Sequence, residues 1–303
     1  LQNIIVPRVK EIPQSLYFHN AIFVSNKKFP LLKYPKYWIY QNLIKILVYR
    51  SIEKSKSIIV QSNWIKDELV KKTKVDFTRI YVKPPKISLK IINTYKEPKD
   101  AINFIYPASP AIYKNHNVLF KAFLKLYNNG FKNFKLYLTI KGNESKAIKR
   151  FKKKINNLDI NIYFMGYRSR DEILSFYEKS IIVFPSFLES SPLVLSEAML
   201  YQAPIIASNL PFSLEILKDY ENVTFFNQDN ENDLYDKLIN IIHKKVWFRR
   251  AKIGYKKNNF YDLEYFKNHS SPEEIKKATK GNLYIQNFCP NGSLISKDGE
   301  YRK

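Results

Sequence analysis

The stretch Val183-Phe184-Pro185-Ser186-Phe187-Leu188-Glu189-Ser190-Ser191-Pro192-Leu193-Val194-Leu195-Ser196-Glu197-Ala198-Met199 decides the fold of this chain. It opens on the end of an apolar run over 181–184, passes through a Pro/Ser-containing segment, and continues as an apolar, helix-forming run. A buried strand, a loop and a helix fit that order, with a serine as helix cap and Pro192 in the first turn, where no N–H is needed. Two glutamates flank the helix start, Glu189 before it and Glu197 in its second turn.

Outward from this stretch, short apolar runs alternate with amphipathic segments from about residue 101 onward, which is the mark of βαβ units and a parallel sheet. Strands are expected over 102–106, 134–140, 160–164, 181–184, 205–207 and 223–226. Between the first two, Val118, Leu119, Ala122, Phe123 and Leu126 recur at helical spacing, and Gly130 stands where a helix ends on a left-handed residue. Ser169-Arg170-Asp171-Glu172 has the S-x-x-E form of a capping box, followed by Ile173, Leu174, Phe176 and Tyr177 as a buried face.

The first hundred residues are less regular. A strand and loop over 15–24, a long amphipathic helix over 38–55, a strand over 57–61 and a helix over 64–72 are expected, and Pro84, Pro85 and Pro98 among lysines mark 83–100 as a linker. The fold class that follows is α/β, with two Rossmann-like lobes of parallel sheets flanked by helices and an N-terminal lobe that is incomplete. The domain expectation is a partial acceptor-binding lobe and linker over 1–95, a donor-binding lobe over 96–262 and a loosely ordered extension over 263–303. Apolar periodicity fades beyond Tyr265, and 280–303 carries no helix or sheet pattern.

Composition bounds the function. The chain has 303 residues, enough for two domains, and a single cysteine, Cys289, so no intrachain disulfide is possible. No run approaches the roughly 18 apolar residues of a membrane-spanning helix, and Lys10 and Glu11 interrupt the first apolar run. A cytoplasmic location, peripheral on the inner face of the membrane, is expected. The net charge of +24, from 51 Lys+Arg against 27 Asp+Glu, favours polyanions and anionic lipid surfaces. The abundance of Lys, Asn, Ile, Tyr and Phe is also what A/T-rich codons specify, which accounts for part of the excess. Specific nucleic-acid recognition is not expected, because no zinc spacing, RNP-type motif or helix-turn-helix stands out.

Taken on chemistry alone, the helix start near Pro192 offers free N–H groups and a dipole to a phosphate or pyrophosphate, and a carboxylate such as Glu197 suits the paired hydroxyls of a ribose. The plain alternative makes Glu189 a charge at a helix N-terminus and Glu197 a solvated face residue. For Lys114, as for any lysine in so basic a chain, the default is a solvated group. For His19, in Leu16-Tyr17-Phe18-His19-Asn20, a structural role beside the aromatics is as good a reading as a functional one.

The segment from Glu189 to Glu197 resembles the E-x7-E signature of the retaining glycosyltransferases of family 4, which have the GT-B fold. The resemblance continues through Ala203-Pro204-Ile205-Ile206-Ala207-Ser208 and Leu210-Pro211-Phe212-Ser213-Leu214-Glu215, similar to that family's following strand and loop, and covers about 101–245. Val60-Gln61-Ser62-Asn63-Trp64-Ile65-Lys66 resembles its last acceptor-lobe strand and helix. The resemblance implies that Glu189 approaches the donor sugar, that Ser191 and the backbone of Pro192, Leu193 and Val194 face the diphosphate, and that Glu197 holds the ribose. It implies that Lys114, in Tyr106-Pro107-Ala108-Ser109-Pro110-Ala111-Ile112-Tyr113-Lys114-Asn115, neutralises the departing diphosphate, and that His19 positions the acceptor. His116 is a further candidate donor contact, and His243 and His269 are expected at the surface.

Ser190 and Ser191 stand where the family often has glycines, and the arginine that many members carry before the lysine is absent. No D-x-D pair, Walker loop or G-x-S-x-G occurs, so no metal or other cofactor is expected beyond the nucleoside-diphosphate-sugar substrate. The expected activity is sugar transfer to a saccharide or lipid-linked hydroxyl, with retention, in cell-surface polysaccharide synthesis. A sugar-nucleotide epimerase of the same fold and a non-catalytic binding module are the alternatives.

Overall fold

The computed structural model describes residues 3–4, 13–87, 94–243 and two short strands at 294–295 and 301–302. The chain divides into two compact units, Leu1–Ile253 and Gly254–Lys303. In the second unit, Leu294–Ile295 pairs antiparallel with Tyr301–Arg302, a ladder that the sequence pattern does not foretell. The rest of the expected loose extension, with His269, lies outside the described residues.

In the first unit, the elements that precede residue 88 are β1 (Ser15–Phe18), α1 (Pro35–Ile39), α2 (Lys45–Lys54), β2 (Ser57–Val60), α3 (Asn63–Lys72) and β3 (Ile80–Val82). The three strands form a parallel sheet in the order β1-β2-β3. The long helix expected over 38–55 is present, but it begins at Pro35 and passes through a π-helical turn, Tyr40–Ile44, between α1 and α2. Proline at its start costs no hydrogen bond, which explains the earlier beginning. β3 is missing from the expectation because three residues are too few to show an alternation.

After residue 100 come β4 (Ile102–Tyr106), α4 (His116–Asn128), β5 (Phe134–Leu138), α5 (Lys146–Ile155), β6 (Ile162–Phe164), α6 (Arg170–Tyr177), β7 (Ile181–Phe184), α7 (Leu193–Leu200), β8 (Ile205–Ser208), α8 (Pro211–Leu217), β9 (Val223–Phe226) and α9 (Glu231–Ile242). The six strands pair in parallel in the order β6-β5-β4-β7-β8-β9. All four residues of β7 and of β8 are buried, as strands covered on both faces must be. Burying a side chain such as Phe184 contributes about 2 kcal/mol.

Local signals agree with this packing. The capping box at α6 is formed, with the Glu172 carboxylate accepting the Ser169 N–H at 2.7 Å and the Ser169 hydroxyl accepting the Glu172 N–H. Gly130 adopts φ +85° and closes α4, with the Phe131 N–H donating to the Leu126 carbonyl. Pro211–Leu217 is a helix and not the expected loop, because Pro211 takes the first helical position after the extended Leu210. The expected strands over 134–140 and 160–164 are shorter, Phe134–Leu138 and Ile162–Phe164.

The strand order places a topological switch point between β4 and β7, where the chain leaves the sheet in opposite directions. Ligands of open α/β sheets bind outside the carboxyl ends of strands at such a point. Two loops meet there, residues 107–115 after β4 and 185–192 after β7.

Candidate functional site

The loop after β4 closes in a 3-10 turn, Ile112–Lys114, and Asn115 takes a left-handed φ of 56° that asparagine tolerates. The Tyr106 hydroxyl at the end of β4 donates to the Lys114 carbonyl at 2.7 Å and accepts from the Ser186 hydroxyl at 2.8 Å. The Phe187 N–H donates to the Tyr113 carbonyl at 2.8 Å. These bonds stitch the two switch-point loops together. Burial and then the Glu189 charge push the Tyr106 phenol well above its ordinary range, so it stays a neutral donor.

This stitching brings Lys114 and Glu189 into contact, with Nζ and Oε1 2.5 Å apart. The two side chains are 18% and 13% exposed, so Lys114 is not the freely solvated lysine of the default reading. At such partly buried positions opposite charges attract more strongly than at the open surface.

Glu189 lines a cavity of about 500 Å3 with His19, Asn20, Lys36, Tyr37, Tyr40, Tyr113 and Ser190. The cavity therefore draws on both sheets. The His19 ring stacks on Tyr17, and its Nδ1 is buried without a hydrogen-bond partner among the described residues. Burial, opposed by the Tyr17 backbone, holds its pKa below the usual range, which leaves the imidazole neutral at neutral pH. A second groove, of about 490 Å3 between α5 and β6, carries Lys152, Asn156 and apolar groups but no paired acid and base, and is set aside.

α7 begins one residue later than expected. Pro192 occupies the cap position with φ −72° and ψ 109°, and no side chain caps the helix. Ser190 does not serve there because its hydroxyl donates to the Gln61 side chain at 2.7 Å and its carbonyl accepts from the Ser62 hydroxyl and the Trp64 indole N–H. The first N–H groups of α7, at Leu193 and Val194, follow directly on Ser191 and Pro192.

Glu197 is 7% exposed, which overturns the reading of it as a solvated face residue. Its Oε1 accepts from Arg170 Nε at 2.9 Å and Nη2 at 2.7 Å, and Tyr177 approaches Oε2 at 3.5 Å. Sequence reasoning missed Arg170: it sits inside a capping box, and nothing local distinguishes it from any other surface arginine. His116, the further candidate donor contact, is buried against Tyr106 and Phe120, and burial lowers its pKa to about 4. His243 is exposed, as expected.

The two sheets meet around this site. The Glu215 carboxylate of α8 accepts from the Asn63 and Trp64 N–H groups at 2.7 and 2.9 Å, capping α3 from the other sheet's layer. Leu188 buries itself in the cluster built on β1–β3, and Trp64 packs on both clusters.

The sequence profile of the Glycosyl transferases group 1 family matches residues 88–260, more than half of the chain. The chain belongs to that family. An uncharacterised glycosyltransferase of Methanocaldococcus jannaschii is 36% identical over 114 residues, which are 37% of this chain and 31% of that protein. The chain thus spans about a third of the curated relative it matches. Among solved structures, sucrose-phosphate synthase of Thermosynechococcus elongatus superposes with a TM-score of 0.63 at 17% identity, covering 78% of this chain and 60% of that one. TarM of S. aureus, solved with fondaparinux, α-GlcNAc-glycerol and UDP, superposes at 0.60 with 16% identity, covering 78% and 45%. HepE of Anabaena, solved with UDP and glucose, superposes at 0.57 with 14% identity, covering 77% and 63%. The family and these neighbours agree on a GT-B type α/β fold of parallel sheets flanked by helices.

Proposed function

We propose that this chain transfers a sugar from a nucleoside-diphosphate-sugar to a hydroxyl of a saccharide or lipid-linked acceptor, with retained configuration. The observation that carries the reading is the Lys114–Glu189 pair at the switch point, whose Glu189 stands on the wall of a cavity that residues of both lobes line. The six-stranded sheet is then the donor lobe and the three-stranded sheet contributes to the acceptor lobe. Family 4 membership, cell-surface polysaccharide synthesis and a cytoplasmic place on the inner membrane face belong to the same proposal.

In this reading the diphosphate lies against the uncapped start of α7, at Ser191, Pro192, Leu193 and Val194, and draws Lys114 toward it. As the bond from the sugar's anomeric carbon to the diphosphate oxygen breaks, negative charge grows on the leaving group, where the Lys114 ammonium and the helix N–H groups stabilise it. The acceptor oxygen bonds the anomeric carbon, and its proton passes to the diphosphate. Glu189 holds Lys114 before the donor arrives and afterwards faces the sugar hydroxyls. Glu197 offers Oε2 to the ribose while Arg170 holds Oε1, and neutral His19 orients the acceptor. No metal or other cofactor is assigned a part. TarM and HepE were solved with UDP, which supports a uridine donor as the first to try.

Incubation with UDP-sugars and a lipid-linked or free saccharide acceptor, followed by mass spectrometry, tests the reading. Gain of one sugar mass on the acceptor with release of nucleoside diphosphate is expected. Interconversion of the donor without acceptor would establish the epimerase alternative, and binding without turnover the non-catalytic module.

A further inference from the structure

Between Glu11 and Glu53 the sequence contains no acidic residue, while Lys27, Lys28, Lys33, Lys36, Lys45 and Arg50 all fall within it. The same segment carries the largest concentration of exposed apolar side chains among the described residues: Leu31, Leu32, Ile39, Leu43, Ile46 and Leu47. Leu32, in the turn before α1, is wholly exposed, and Leu43 and Leu47 are each more than half exposed. A solvent-facing helix ordinarily keeps such positions polar.

The opposite side of the same helical run is committed to the fold. Val48, Ser51 and Ile52 are buried in the small-sheet cluster, the Gln41 amide donates to the Lys27 carbonyl at 2.8 Å, and Tyr49 donates to the Phe23 carbonyl at 2.7 Å. Lys36, Tyr37 and Tyr40 line the cavity with Glu189. One helical run therefore has three sides, of which one packs, one faces the site and one presents leucines and isoleucines among cations.

We propose that this third side is a membrane-docking face that seats on an anionic lipid bilayer, with Leu31, Leu32, Ile39, Leu43, Ile46 and Leu47 entering the headgroup boundary. An interfacial helix of this kind combines an apolar strip with flanking lysines and arginines, and the two contributions add. Half-buried Tyr34 and Trp38 stand at the edge of the strip, where amphipathic rings favour the interface. A second copy of the chain fits less well, since a two-fold contact would set the same cations against each other with no carboxylate between Glu11 and Glu53 to answer them. Docking on this side brings the cavity mouth, through Lys36, Tyr37 and Tyr40, close to the bilayer, the place where a lipid-linked acceptor hydroxyl is found. The inference rests on the membrane contact proposed above and assigns it to particular residues.

Flotation tests it, with vesicles of phosphatidylcholine alone and of phosphatidylcholine mixed with phosphatidylglycerol. The triple variant Leu32→Gln, Leu43→Gln, Leu47→Gln should lower the partition onto anionic vesicles by about ten-fold or more, since each leucine forfeits buried apolar area. Lys33→Gln, Lys45→Gln, Arg50→Gln should lower it similarly. Lys149→Gln, Arg150→Gln, Lys153→Gln on exposed positions of α5 removes the same charge elsewhere and should leave it unchanged. All are read at unchanged thermal midpoint. Equal losses in the α5 variant and the two face variants would overturn this face while leaving a diffuse membrane contact standing. Absence of wild-type flotation on anionic vesicles would overturn both. A wild-type dimer in sedimentation that the leucine variant converts to monomer, with flotation unaltered, would assign the face to self-association instead.

Discussion

Lys114 and Glu189 are 75 positions apart in sequence and 2.5 Å apart in space, and almost everything proposed for this chain passes through that pair. Lys114→Met keeps the stem and removes the charge. It should lower kcat by about a hundred- to a thousand-fold with a much smaller change in KM, because the charge it answers grows only as the diphosphate departs. Steady-state kinetics on the sugar transfer reads this directly, and equal losses in binding and turnover would contradict it. His116 makes a separate prediction. Its pKa is about 4 in the folded chain against an ordinary value near 6.5, so the unfolded chain binds the extra proton between those values. Stability is then full above about pH 6.5 and falls by about 3 kcal/mol as the pH drops to about 4. Urea midpoints against pH should show that fall, and His116→Gln should flatten the part it causes. What was legible at this scale was the pair of glutamates and the lysine, because their neighbours carry a pattern. Arg170 was not, because a long-range ion pair leaves no mark on the residues beside it, and neither the burial of His116 nor that of Glu197 follows from local composition.

At the scale of elements, the S-x-x-E box, the Gly130 stop and the four-residue apolar runs were readable because each is a local solution to an unsatisfied backbone or a doubly covered strand. The basic helix α5 escaped notice because only Ile148, Phe151 and Ile155 of its ten residues are buried, and the rest of Lys146–Ile155 reads as a charge run. The contacts between the sheets were also invisible, since Gln61, Ser62 and Trp64 meet the 185–192 loop through polar bonds with no sequence periodicity. Two substitutions test this level. Gly130→Ala meets nothing within 4 Å, so its cost is purely that of φ +85° on a residue with a Cβ, about 1 kcal/mol by denaturant titration. Glu215→Ala removes the carboxylate that caps α3 and should cost about 1–2 kcal/mol, as cap removal does elsewhere. A midpoint unmoved by Glu215→Ala would mean that α3 is held by its packing alone.

For the molecule as a whole, the alternation of strands and helices fixes a parallel sheet, the strand order fixes the switch point, and the switch point sets where Lys114 and Glu189 meet. Donor binding there is the central claim. A thermal-shift panel of UDP-, GDP-, ADP- and dTDP-sugars on the wild type, Lys114→Met and Glu197→Ala tests it most directly, since a ligand that binds only the folded chain raises its midpoint. One nucleotide-sugar at roughly a hundred times its Kd should raise the wild-type midpoint by about 5–10 °C, with the rise lost in Glu197→Ala and reduced in Lys114→Met. No rise with any donor, or the same rise in all three proteins, would contradict the site.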